Sequence, residues 1–225
     1  MRQPSPTPLI LFDFDGTLAD TAPDLAAAAN QQRQRQGLPP LDHAPLREVA
    51  SQGARGLLRV ALGLEPDSTG YEAARLQFLA DYEARMTLSS TLFDGIAEML
   101  VSLDVAGIPW GIVTNKATRL TLPLVRHFGL LRSRTVVCGD TTAHIKPHPE
   151  PLLHAARLAG HGPTHCIYIG DDLRDIQAGK AAGMRTIAVA YGYSAGTQAA
   201  QWQADACVEQ PQHLYDSIVS LLAQS

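Results

Sequence analysis

Asp13 and Asp15 stand two residues apart in the run Asp13-Phe14-Asp15-Gly16-Thr17-Leu18, directly after the apolar stretch Leu9-Ile10-Leu11-Phe12. In an extended chain, residues two apart face the same way, so the two carboxylates are set side by side. Like charges that close repel unless they share a cation or one carboxyl holds a proton. A strand-ending turn with an Asp cap is the plainer alternative for this run alone. Thr114-Asn115 brings a hydroxyl and an amide that could bond phosphate oxygens, with a helix start behind them adding N–H donors. Thr and Asn are also ordinary helix caps. Lys146-Pro147-His148-Pro149 carries one of only three lysines among the 18 basic residues. A lysine held between prolines is a fixed point charge suited to a phosphoryl group, or else a solvated loop residue. In Gly170-Asp171-Asp172-Leu173-Arg174-Asp175, three carboxylates fall within five residues. That density is costly without a cation, and oxygen donors beside a lysine favour Mg2+. A helix N-terminus would account for Asp172 or Asp175, hardly for all three.

The elements that must position these groups are short apolar runs alternating with helical patterns. Leu9–Phe12, Trp110–Val113, Thr135–Cys138, Cys166–Ile169 and Thr186–Ala190 are too short for buried helices and read as buried strands. Leu120–Phe128, Pro149–Leu158 and Leu173–Ala182 have helical spacing, with Gly129, Gly160 and Gly183 as stops. Such alternation predicts a parallel sheet with right-handed crossovers, and it puts all four chemical features at C-terminal strand ends, where open α/β sheets bind ligands. From Thr21 to Leu92 the alternation fails. Asp24–Arg35 and Tyr71–Met86 read as helices, the second with Leu76, Leu79 and Tyr82 near one face, and no strand is expected there. The expected domains are therefore a core of residues 1–20 and 93–225, and a helical cap of residues 21–92 inserted after the first strand.

The bulk composition narrows the classes of function. Of 225 residues, 45% are hydrophobic and 18% charged, which suits a packed core and argues against disorder. The net charge of −4 gives no basic footprint for nucleic acid, so phosphate chemistry must be arranged locally. No stretch reaches membrane-spanning length, and the proline-rich Met1–Pro8 reads as a loose tail rather than a targeting peptide. Cys138, Cys166 and Cys207 lack CxxC spacing and read as buried reduced thiols of a cytoplasmic protein. His144, His148, His154, His161 and His165 lie close in sequence without zinc-type spacing. Tyr191-Gly192-Tyr193 reads as lining of a loop, and Trp110 and Trp202 as core.

Taken together and in this order, the four features resemble the haloacid dehalogenase superfamily of phosphatases over nearly the whole chain. Gly53-Ala54-Arg55 and the run Trp110–Lys116 look like the phosphoglycolate phosphatase group, and within it the branch that includes N-acetylmuramic acid 6-phosphate phosphatases. The group's Gly-Asn-Gly-Ala cap pattern stands here as Ser51-Gln52-Gly53-Ala54. The resemblance implies a Rossmann-like three-layer α/β/α core with strand order 5-4-1-2-3 and a small helical cap. It also implies a nucleophile at Asp13, a general acid/base at Asp15, and phosphate binding by Thr114, Asn115 and Lys146. Mg2+ would be held by Asp13, the Asp15 carbonyl and Asp171, with Asp172 and Asp175 touching metal-bound water or orienting Lys146. Gly53 and Arg55 would set specificity for a small phosphorylated metabolite carrying a carboxylate. Either 2-phosphoglycolate or N-acetylmuramic acid 6-phosphate fits, for a monomer or homodimer. A phosphoglucomutase-type transferase shares every core residue. A non-catalytic phospho-accepting regulator shares the residue types but needs no cap and does not pair carboxylates on its first strand.

Overall fold

A computed structural model of the protein describes residues 7–194 and 196–224, so most of the proline-rich tail lies outside the described residues. The chain divides into two compact units, Met1–Leu18 with Leu92–Ser225, and Ala19–Thr91. In chain order the elements begin with β1 (Leu9–Phe12), β2 (Ala19–Asp20), α1 (Ala22–Arg35), α2 (His43–Arg47), α3 (Gly53–Leu62), α4 (Tyr71–Glu83) and β3 (Thr91–Leu92). They continue with α5 (Ile96–Val105), β4 (Trp110–Val113), α6 (Thr118–His127), β5 (Val136–Val137), α7 (Glu150–Ala159) and β6 (Cys166–Gly170). Last come α8 (Leu173–Ala181), β7 (Arg185–Val189), β8 (Ala206–Val208) and α9 (Leu214–Ala223). No helix among the described residues is long and apolar enough to cross a membrane.

The larger unit is built on a six-stranded sheet of order β5-β4-β1-β6-β7-β8, parallel at every pairing. Five of its strands, β7-β6-β1-β4-β5, follow the expected 5-4-1-2-3 order, and β8 adds an edge strand beyond β7. All four residues of β1 are fully buried, as a strand sandwiched between helical layers requires. Each such side chain contributes roughly 1.5–3 kcal/mol by leaving water. Alternate residues face opposite ways: Leu9 and Leu11 pack with Cys166, Tyr168 and the α7 residues Leu152, Ala155 and Ala156. Gly129, Gly160 and Gly183 adopt positive φ where they stop their helices. Register decides where the chemistry falls. Phe12 pairs with Ile112 on one side and Ile169 on the other, so β1, β4 and β6 end level with one another.

The smaller unit is helical, with α1 packed on α2, α3 and α4. Pro23 in the first turn and Gly37 at φ +70° fix the ends of α1. Asp24, fully buried, accepts hydrogen bonds from Ser89 N, Ser90 N and Ser90 Oγ at 2.9, 2.8 and 2.8 Å, tying the end of the insertion to its first helix. On α4 the inward face is Tyr71, Phe78 and Tyr82, whereas Leu76 is 56% exposed. The expected leucine face is thus off by part of a turn, because the aromatic residues claim the interior. Thr91 and Leu92 form β3 against β2, a strand that the sequence did not announce. Cys207, on the edge strand β8, is exposed, while Cys138 and Cys166 are buried and all three are free thiols. The expectation of three buried thiols fails at Cys207 because β8 presents that residue outward.

Candidate active site

The level ends of β1, β4 and β6 gather the expected residues around one buried ammonium. Lys146, on the loop after β5, is 3% exposed. Its Nζ lies 2.8 Å from Asp13 Oδ1 and 2.7 Å from Asp175 Oδ1. It also donates to Tyr168 Oη at 2.8 Å and to Val113 O at 3.2 Å. The Asp13 oxygen meets Lys146 as an ion pair. The loop is held by a reciprocal pair: Lys146 N donates to Asn115 Oδ1 at 2.9 Å, and Asn115 Nδ2 donates to Lys146 O at 3.0 Å. Gly139 passes so close that a Cβ there would sit 2.1 Å from Asn115 O. Thr114, 3% exposed, follows β4 and accepts from Lys116 N at 3.2 Å.

Asp171 is fully buried, taking hydrogen bonds from Tyr193 N at 2.7 Å and Thr17 Oγ1 at 3.4 Å. Two glycines make room for it. A Cβ on Gly16 would lie 2.3 Å from Asp171 Oδ2, and one on Gly192 would lie 2.2 Å from Asp171 Cβ. Gly16 also needs its φ of +86°, so both its conformation and its contact exclude a side chain. Tyr191 and Tyr193 therefore do more than line a loop: Tyr191 Oη bonds Thr17 O at 2.9 Å, and the Tyr193 amide holds Asp171.

The electrostatics are those of an acidic cluster short of positive charge. Burial pushes the Asp13 carboxyl up from 3.8 to about 7; Lys146 opposes the rise, and Asp175 and Asp15 add to it. Asp171 is raised well above its ordinary value by burial first, then by Asp13 and Asp175. Burial works against the Lys146 charge, but Asp13 and Asp175 together hold its pKa above the usual lysine value. Oxygens of Asp13, Asp171 and Asp175 come within 4.8 Å of one another. Three buried carboxylates this close fit a divalent cation, which would favour the ionised forms of Asp13 and Asp171.

Other expected residues fall into place differently. The Asp15 carboxylate meets Lys116 Nζ at 2.8 Å rather than the cluster. Asp172 caps α8, accepting from Arg174 N at 2.9 Å and pairing with the Arg174 guanidinium, while Asp175 Oδ2 accepts in turn from Asp172 N at 3.1 Å. The two acids thus divide the work: Asp172 shapes the helix and Asp175 reaches Lys146. Gly53 and Arg55 lie in the other unit. Gly53 has φ +59° and ψ −148°, a region essentially restricted to glycine, where a 3-10 turn passes into α3. Arg55 is exposed on α3. Sequence reasoning missed Lys116 and Tyr168 as site residues. Lys116 had a weak signal as one of three lysines, whereas Tyr168 reads as one more apolar strand position.

The profile of the haloacid dehalogenase-like hydrolases matches residues 10–189. The chain belongs to the haloacid dehalogenase-like hydrolase family. Among relatives of this hydrolase is the N-acetylmuramic acid 6-phosphate phosphatase of Pseudomonas aeruginosa, 44% identical over 92% of each chain. The phosphoglycolate phosphatase of Xanthomonas campestris is 45% identical over 92% of this chain and 94% of its own. A crystal structure of a predicted phosphoglycolate phosphatase from Haemophilus somnus superposes with a TM-score of 0.84 at 26% identity, covering 95% of this hydrolase and 99% of that chain.

Proposed function

We propose that this hydrolase is a Mg2+-dependent phosphatase that cleaves a small carboxylate-bearing phosphate monoester, 2-phosphoglycolate, through an aspartyl-phosphate on Asp13. The observation that carries the reading is the buried cluster of Asp13, Asp171 and Asp175, with Lys146 paired to Asp13 and Asp175 and with Asp15 two residues beyond the nucleophile. Asp13 attacks phosphorus while Asp15 gives its proton to the departing ester oxygen. Asp15, now a carboxylate, takes a proton from the water that attacks the phosphoryl group, releasing phosphate and freeing Asp13. Thr114, the Asn115 main chain and Lys146 hold the equatorial oxygens, and Asp175 and Tyr168 orient Lys146. Asp13, Asp171 and the Asp15 carbonyl would hold Mg2+, whose charge would offset the repulsion between nucleophile and phosphate.

Discrimination is assigned to Gly53 and Arg55, since the core residues hold only the phosphoryl group. An arginine fork suits a carboxylate. N-acetylmuramic acid 6-phosphate is the second reading, supported by relatives of that name at 44% and 41% identity. Free thiols support a cytoplasmic protein, taken as a monomer or homodimer. Nothing favours the transferase or the regulator. Phosphate release from both esters, with and without EDTA, tests the proposal: turnover is lost in EDTA, and kcat/KM is higher for 2-phosphoglycolate. EDTA-insensitive turnover would remove the metal, and a higher kcat/KM for the muramic ester would select the second reading.

A further inference from the structure

A second set of metal-type donors lies on the loop that carries Lys146. His144 and His148 are both exposed, and their ring centroids stand 4.1 Å apart with the planes at 34°. Glu150, the first residue of α7, joins them. Its Oε2 accepts from His144 N at 3.1 Å, and its own N–H donates to His148 Nδ1 at 3.2 Å. One donor atom from each of the three residues lies within 4.8 Å of the others. Ligands about 2.1 Å from a tetrahedral ion stand about 3.4 Å apart, so closure asks for at most about 1.4 Å of movement. Exposed side chains make that movement by rotamer change. Exposure also keeps a coordinating water available for the fourth position.

The donor set is chemically unlike the Asp13 cluster. Two imidazole nitrogens and one carboxylate oxygen make a borderline-soft set, which prefers Zn2+, Co2+, Ni2+ or Cu2+ to Mg2+. Oxygen-only donors prefer hard cations. One molecule thus carries two donor sets that would sort cations between them. We propose that His144, His148 and Glu150 form a second cation site that binds one divalent transition-metal ion of the zinc class. The ion bridges the loop on both sides of Lys146. At His148, ligation through Nδ1 takes over the lone pair now used by the Glu150 N–H.

The test uses the full chain in saturating Mg2+, titrated with Co2+ and then Zn2+. The expected result is one equivalent of Co2+ with a tetrahedral visible band lacking sulfur charge transfer, and displacement by Zn2+ but not by further Mg2+. The band should persist in Asp171→Ala, weaken at least tenfold in apparent affinity in His144→Ala or His148→Ala, and vanish in the double variant. Should the double variant misfold, imidazole NMR of the intact protein decides: two of the eight histidines must shift on Zn2+ addition. Loss of the band in Asp171→Ala, its survival in a folded double variant, shifts at other histidines, or no binding at all would overturn the site.

Discussion

Replacing Asp13 with Asn should stabilise the metal-free protein at pH 8 while destroying its turnover. Asp13 is 8% exposed, and burial holds its carboxyl at about 7 against 3.8 for the ordinary group. A folded pKa raised above the unfolded one means that the folded state binds the extra proton. The associated stability is fully present below pH 4 and is lost as pH rises through 7. At 1.36 kcal/mol per pKa unit, the folded protein carries a burden on the order of 4 kcal/mol once Asp13 ionises. That figure already contains the attraction of Lys146, because the ion pair acts on the same titration. Asn mimics the protonated carboxyl and removes the burden. In EDTA, urea unfolding at pH 8 should therefore show Asp13→Asn ahead of wild type by about 4 kcal/mol, or about 2 M urea at a slope of roughly 2 kcal/mol/M. At pH 4 the two should nearly coincide. Saturating Mg2+ should reverse the pH 8 ranking, since the wild type gains a bound ion. Both tryptophans, Trp110 and Trp202, lie in the larger unit, so their fluorescence follows the unfolding of that unit. A gap independent of pH, or a wild type more stable than the variant in EDTA at pH 8, would refute the reasoning.

Asp15→Asn should slow both half-reactions, seen in rapid-quench kinetics as slower formation and slower decay of the phosphoenzyme. Asp171→Ala should steeply raise the Mg2+ concentration needed for half-maximal turnover, and Ca2+ should inhibit the wild type, because it takes more oxygens at longer range. Arg55→Ala should lose 10- to 100-fold in kcat/KM for the carboxylated substrate, the worth of roughly 1.5–3 kcal/mol for a charged hydrogen bond. It should barely alter hydrolysis of p-nitrophenyl phosphate, and equal losses on both would dismiss the carboxylate contact. Asp81→Ala removes the acceptor of Gln32 Nε2 at 2.6 Å, of Gln77 and of Arg35, stranding the buried Gln32 amide. The helical unit should lose about 1–3 kcal/mol, read by far-UV circular dichroism before the tryptophan signal moves.

The two acidic runs were legible because strand ends, unlike helix faces, announce themselves by an abrupt change from apolar to acidic. Asp13 after Leu9–Phe12 and Asp171 after Cys166–Gly170 are such edges, and the parallel register makes them neighbours. Helices α5 and α9 went unremarked although Ile96, Met99, Leu100 and Leu103, and likewise Leu214, Ile218 and Leu221, carry the helical period. Strand β8 had no such signal, being three residues with an exposed Cys207 at its centre. The Lys116–Asp15 pair was illegible for another reason. Its partners are 101 positions apart, and one sequence holds no record of which distant charges meet. The same holds for Tyr168, whose hydroxyl function depends on where the Lys146 loop returns.

The central place of β1 has a consequence for synthesis. Its hydrogen-bonding neighbours are β4 and β6, and 154 positions separate Thr17 from Asp171. At about 5–20 residues per second, a ribosome takes roughly 8–30 s to deliver the second neighbour. For that interval Leu9–Phe12 is an apolar segment with at least one edge open, the kind of stretch that pairs with strangers. Asp13 and Asp15 flank it, and charges in that position discourage such pairing. The two carboxylates thus protect the nascent strand for as long as the sheet around it is unfinished.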